Sequence, residues 1–199
     1  LSLSSGEITV DGENLLTISR NEIAKKIAYL SQGKNIPDMT VEQMVLHGRF
    51  PYLSYPRRYS SHDREVAIKA MEIVGVAEFA HKPLYSLSGG MRQNAYIAMA
   101  LAQDTDYILL DEPTTYLDIA HQLELMRILR KLADSGKGIV TVMHNLPIAF
   151  DFSDKLTVMS NGKIIAYGTP SEICESHIVE DIFGVKIKQV QKGKYLYEY

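Results

Sequence analysis

The feature that most restricts the fold is the alternation of short apolar strands with a helix-period segment in the second half of the chain. Tyr107-Ile108-Leu109-Leu110 reads as a buried strand, because a short apolar run closed by polar residues suits a strand covered on both faces. Ile119 to Ala133 follows as a helix stopped by Ser135-Gly136, and Gly138-Ile139-Val140-Thr141-Val142-Met143 is the next strand. Strand, helix, strand in that order predicts an α/β fold with a parallel core sheet covered by helices on both faces. Composition sets no obstacle, since 199 residues with 46% hydrophobic and 23% charged side chains can bury a good-sized core.

The flanking segments carry local signals. Leu156 to Met159 and Lys163 to Tyr167 enclose Asn161-Gly162, a pair that accepts positive φ at both turn positions and so marks a hairpin. Thr169, Pro170 and Glu172 form a helix start with a capping box, and Lys186 to Tyr199 reads as a short antiparallel pair. Gly6 to Val10, closed by Asp11-Gly12, and Ile27 to Leu30 read as two more strands of the core sheet. From Thr40 to Arg49 and from Ser61 to Val74 apolar residues recur at three and four, so the chain is expected to be mainly helical through to Ala102.

Several function classes are disfavoured. The 21 Lys and Arg against 24 Asp and Glu give a net charge of -3, so no bulk field attracts nucleic acid or anionic lipid, and no nucleic-acid partner is expected. Cys174 is the single cysteine; it permits no internal disulfide and no thiolate metal cage, which suits a reducing cytosolic setting. No apolar run approaches the ~20 residues of a membrane span, and Leu1 to Gly6 has no secretory pattern. Any membrane involvement is therefore expected through another chain.

The acidic pair Asp111-Glu112 lies at the carboxyl end of a buried strand, the edge where parallel α/β sheets bind ligands. One carboxylate can hold Mg²⁺ while its neighbour orients or deprotonates water, as phosphoryl transfer requires. Taken alone, the run is equally a strand ending in an acidic turn. Leu87-Ser88-Gly89-Gly90 precedes the helix from Met91 to Gln103; Ser88 can cap it, and the glycines let backbone N–H groups approach an anion at its positive end. Alone this is also an ordinary helix cap. His144 closes the strand after the one bearing Asp111, and Gln32 follows Ile27 to Leu30. Only the joint order of Gln32, Ser88-Gly89-Gly90, Asp111-Glu112-Pro113, Asp118 and His144 lifts each above its plain reading.

That order resembles the ABC ATPases, over essentially the whole chain. The resemblance implies a P-loop NTPase-like ABC ATPase domain with a parallel core sheet and a helical signature subdomain. It would be a single domain over residues 1–199, with the helical part at about 40–104 and the core at about 1–39 and 105–199. Gln32 looks like the Q-loop glutamine, Leu87 to Met91 the signature motif, Tyr107 to Asp111 the Walker B strand, Tyr116-Leu117-Asp118 the D-loop and His144 the switch histidine. The implied roles are catalysis by Glu112 and His144, Mg²⁺ held by Asp111 and Gln32, and nucleotide contact by Ser88, Gly89, Gly90, Gln32 and Asp118. In the family the signature motif serves ATP bound to the opposite subunit, so a second ATPase subunit is an implied partner. Gly48-Arg49-Phe50-Pro51-Tyr52 and the run Thr114 to Gln122 are similar to the ATPases of siderophore, haem and cobalamin importers. This implies membrane permease partners and a place on the cytoplasmic face of the cell membrane, with the Tyr- and Arg-rich stretch near Arg49 to Arg58 touching the permease.

Three departures qualify the match. Met91 stands where the signature has glutamine, Asn94 where a basic residue is common and Asn145 where aspartate is common. No Gly-x-x-x-x-Gly-Lys-[Ser/Thr] loop occurs. In the family it lies upstream of the strand resembling Gly6 to Val10, so the chain is expected to start inside the domain, incomplete at its N-terminus, with an unfilled position in the sheet and exposed apolar surface. Two functions follow as expectations: the full-length parent is an ATP-hydrolysing importer subunit, of which this chain without the phosphate loop is expected to be inactive alone, or the chain is a non-catalytic subunit that lends its signature motif to a partner or binds the permease.

Overall fold

A three-stranded parallel sheet lies at the centre of the computed structural model, which describes residues 5–31, 36–115, 117–191 and 193–198. In chain order the first elements are β1 (Thr9–Val10), β2 (Glu13–Asn14), α1 (Arg20–Lys26) and β3 (Ile27–Leu30). The helices α2 (Val41–Leu46), α3 (Ser61–Ile73) and α4 (Gly89–Ala102) follow. Next come β4 (Tyr107–Asp111), α5 (Ile119–Asp134), β5 (Gly138–Val142) and α6 (Leu146–Phe152). The chain continues with β6 (Leu156–Ser160), β7 (Lys163–Gly168), α7 (Pro170–Glu175), α8 (Ile178–Phe183), β8 (Lys186–Gln191) and β9 (Lys194–Glu198).

In the central sheet β4 lies between β3 and β5, all parallel, with Leu30 opposite Leu110 and Asp111 opposite Val142. Side chains alternate across it. One face presents Ala28, Leu30, Ile108 and Leu110, buried in one cluster with residues of α2, α4 and α5. The other face carries Tyr29, Val140 and Val142, which are 60%, 58% and 54% exposed. Coverage of both faces is therefore not what the described residues present, because the cluster that buries Leu30 and Leu110 takes only the residues of alternate parity. The Thr105 hydroxyl staples two strands, donating to the Tyr107 carbonyl at 2.7 Å and accepting the Ala28 amide at 3.1 Å.

A second correction concerns Gly6 to Val10. The strand there is β1, and it pairs with β2 as a separate antiparallel hairpin. Asp11 and Gly12, with φ of 52° and 78°, reverse the chain at once, so β1 meets β2 before it can reach the core sheet.

Helices α2, α3 and α4 pack on one another, each started by a polar cap: Thr40, Ser60 and Ser88 accept from the amide three residues on. Arg49 ties them together. It is 5% exposed, pairs with Asp63 at 3.0 Å and donates to the Ala102 carbonyl at 3.0 Å. Beside it, a Cβ on Gly48 would collide with the Met99 carbonyl oxygen, so only glycine lets this segment lie against α4. Asn94 donates to the Val74 carbonyl at 3.0 Å, closing the end of α3. Elsewhere the hairpin β6–β7 turns on Asn161 and Gly162, with φ of 49° and 73°, and Thr169 and Glu172 form the capping box of α7. A smaller core of Phe150, Val158, Ile173, Val179, Ile187 and Tyr195 holds the elements from α6 to β9. Among the described residues no helix is long and apolar enough to cross a membrane.

Burial alone would raise the Asp63 carboxyl, but hydrogen bonds from the Ser60 hydroxyl and amide and the Arg49 guanidinium outweigh it and hold the group below the ordinary carboxylate range. Its folded pKa thus lies below its unfolded one, so the stabilisation is complete above the unfolded value of about 3.9 and is lost as pH falls through the folded value. Asp63→Ala, which leaves Arg49 buried without its partner, is expected to cost about 3 kcal/mol at neutral pH, measured by urea unfolding. Repeating the titration downward from about pH 5 should narrow the gap between wild type and variant.

Candidate functional site

The site begins where β4 ends. Asp111 is the last strand residue and shares the face of Tyr29 and Val142. The Glu112 amide still donates to the Val142 carbonyl at 3.1 Å, but Glu112 itself turns into the left-handed region at φ 48°. A non-glycine residue held there is over-determined by its neighbours: Pro113 behind it is fully buried, and the Thr115 amide closes the turn on the Glu112 carbonyl at 3.2 Å.

The Glu112 carboxylate is held at both oxygens. The Thr115 hydroxyl donates to Oε2 at 3.1 Å, and Oε1 meets the His144 Nε2 in a close hydrogen bond. His144 arrives from the loop after β5, immediately before Asn145, whose side chain accepts the Ile148 amide at 3.2 Å and caps α6. The carboxylate side chain is 18% exposed and the imidazole 77%, so a shielded acid is paired with a ring open to solvent.

A second group forms around the start of α4. Ser88 accepts the Met91 amide at 3.3 Å and is exposed, as is Gly89. A Cβ on Gly90 would lie 3.4 Å from the His121 ring and 3.6 Å from Leu117, ordinary contact distances, so α4 lies close against the start of α5 here. There Asp118 caps α5, accepting the His121 amide at 2.9 Å and its Nδ1 at 2.8 Å. The amide first, and then the ring, hold Asp118 below the ordinary carboxylate range. The two groups are linked by Gln93 on α4, whose Nε2 donates to the Pro113 carbonyl at 3.0 Å.

Glu112 and His144 are thus in direct contact, Asp111 shares their strand end, and Gly90 and Asp118 flank one His121. Gln32 lies outside the described residues. Sequence reasoning missed Thr115 as a holder of Glu112, for which a hydroxyl three residues on was the available signal, and Gln93, for which there was none. Among the described residues no three His, Cys, Asp or Glu side chains converge as a metal cage. Mg²⁺ held by one or two carboxylates together with phosphate oxygens asks for less than that, and Asp111 at the strand end fits such a donor set.

The sequence model of the ABC transporter family matches residues 1–115, and the petrobactin import ATP-binding protein FpuD of Bacillus anthracis is 40% identical over 92% of this chain and 68% of its own length. The chain belongs to the ABC transporter family. Relatives it matches are named as ATP-binding proteins of import and transport systems. The ferric enterobactin transport ATP-binding protein FepC of Escherichia coli K12 is 39% identical over 91% of this ABC chain and 68% of its own. A solved dimeric ATP-binding cassette in a post-hydrolysis state with ADP and phosphate superposes with a TM-score of 0.71 at 26% identity, over 84% of this chain and 74% of that one.

The cap at Ser88 is separable from any ligand role. Replacement by glycine, itself an accepted cap, is expected to lower stability by only a few tenths of a kcal/mol, and Ser88→Ala by about 1 kcal/mol. Urea unfolding of the two variants measures the difference, and equal losses would remove Ser88 as the cap that holds α4.

Proposed function

We propose that this chain belongs to the ATP-hydrolysing subunit of a transporter that imports an iron-siderophore, haem or cobalamin-like compound through membrane permease subunits, acting as a dimer on the cytoplasmic face with a phosphate-binding loop that these residues do not contain. The observation that carries the reading is the Glu112–His144 contact at the carboxyl end of the central strand. It supplies a held carboxylate beside an exposed imidazole, at the sheet edge where α/β proteins bind ligands. Petrobactin and ferric enterobactin import by FpuD and FepC supports the substrate class, and the dimeric cassette with ADP and phosphate supports a site shared between two subunits.

In this reading Glu112 is the general base. Thr115 and His144 fix its two oxygens so that it can take a proton from water aligned on the γ-phosphate. His144, open to solvent, can turn its N–H from the Glu112 carboxylate to the charge that develops on the transferred group. Asp111 and Gln32 would hold Mg²⁺, which would supply neutralisation of the phosphate charge. The Ser88 hydroxyl and the Gly89 and Gly90 amides, at the positive end of α4, contact the γ-phosphate of ATP on the second subunit, with Asp118 at its margin.

Glu112→Gln keeps the shape and the Thr115 contact but cannot accept the proton. With the phosphate-binding loop supplied upstream, steady-state ATP turnover should fall by about 100-fold or more, while ATP affinity measured by titration stays within about twofold. Turnover near that of the wild type would remove Glu112 from the role.

A further inference from the structure

Gln93 stands one turn beyond Ser88 on α4, and its Nε2 donates to the Pro113 carbonyl at 3.0 Å. Pro113 follows Glu112 directly and is fully buried, so its peptide cannot shift without moving the residue before it. On the other side the same turn is tied to α5, where the Gln122 Nε2 donates to the Leu117 carbonyl at 2.9 Å and more weakly to the Thr114 carbonyl at 3.4 Å. The turn bearing Glu112 is therefore suspended between two helices by two glutamine amides. Helix propensity does not require glutamine at position 93, since Met, Lys and Glu are as good. What glutamine adds is a neutral N–H donor that reaches a backbone carbonyl across the gap.

From this arrangement we infer that Gln93 is a positioning residue: it makes the place of the Glu112 carboxylate follow the N-terminal end of α4. A displacement of Ser88, Gly89 and Gly90 is then passed through one hydrogen bond to Pro113 and on to the carboxylate. The inference rests on the reading of Glu112 as the base.

Two substitutions test it. Gln93→Met keeps the length and the helix propensity without a donor, and Gln93→Glu keeps the shape but turns an acceptor toward the Pro113 carbonyl; if one fails to fold, the other carries the comparison. Hydrogen exchange is read at Thr115 and Leu117, whose amides bond the Glu112 and Thr114 carbonyls at 3.2 Å each. Both should exchange about 3- to 10-fold faster, the range a lost hydrogen bond supports. The Gln122 amide within α5 should stay within about twofold. ATP turnover should fall about tenfold with the KM for ATP within about twofold, the pattern of a lost transition-state interaction. In a Glu112→Gln background Gln93→Met should cause no further fall. Unchanged exchange at Thr115 and Leu117 would overturn the inference, as would equal fold losses of turnover in the two backgrounds. Turnover retained by Glu112→Gln would instead sink the base assignment, and the exchange rates alone would then decide whether Gln93 positions the turn.

Discussion

The site depends on β4 being paired along both edges at once. Hydrogen bonding to β3 and β5 fixes its register, and the ladder runs out where Asp111 stands opposite Val142. Because side chains alternate with a period of two, a slip of one residue would carry Asp111 to the face that now buries Leu110 and Ile108. The last bond, from the Glu112 amide to the Val142 carbonyl, sets where the chain leaves the sheet. His144 lies two residues beyond Val142, so the same pairing that aims the carboxylate also delivers its imidazole partner. Pairing of the backbone thus does what no local preference of Glu112 would do, since the left-handed conformation is costly for a glutamate.

The three positions that depart from the family pattern are each occupied structurally. Asn94 closes α3 at the Val74 carbonyl and Asn145 caps α6. Met91 packs half-buried against the main cluster. A basic side chain at position 94 would put a charge where a neutral amide already satisfies a carbonyl, and asparagine caps a helix as well as aspartate does. Their described contacts are with the scaffold around the Glu112 carboxylate. They belong to the scaffold that presents it.

Much of this was legible in the sequence, for reasons that differ from element to element. The strands at Tyr107 and Gly138 declared themselves by apolar runs, the β6–β7 hairpin by Asn161-Gly162, and α7 by its capping box, all signals confined to a few consecutive residues. Helix α1 went unread although Ser19 and Glu22 form an equally good box, because only seven residues follow and none is buried. The pairing of β1 with β2 went unread because a two-residue strand has no period. At the site, the ordered motifs singled out Glu112 and His144, whose side chains are in contact. The Gln93 bond to Pro113 joins residues twenty apart through a side chain and a backbone oxygen, and such contacts leave no trace in periodicity.

The crowding at Gly48 has a mechanical consequence. Where that backbone presses on Met99, Arg49 holds the Ala102 carbonyl, the Tyr52 hydroxyl holds the Gln103 carbonyl at 2.9 Å, and the Gln103 side chain reaches the Ala24 and Ile27 carbonyls at 2.6 and 2.9 Å. The carboxyl end of α4 is thereby clamped by four hydrogen bonds, whereas its first turns are held by the Ser88 cap, Gln93 on Pro113, Asn94 on Val74 and Met91 against the main cluster. A helix that pivots with its fulcrum near Met99 is a lever whose arm back to Gly89, ten residues at 1.5 Å each, is about 15 Å long. A few degrees of rocking at the fulcrum becomes an ångström or more at Ser88, so the tip can travel while the hub keeps its packing.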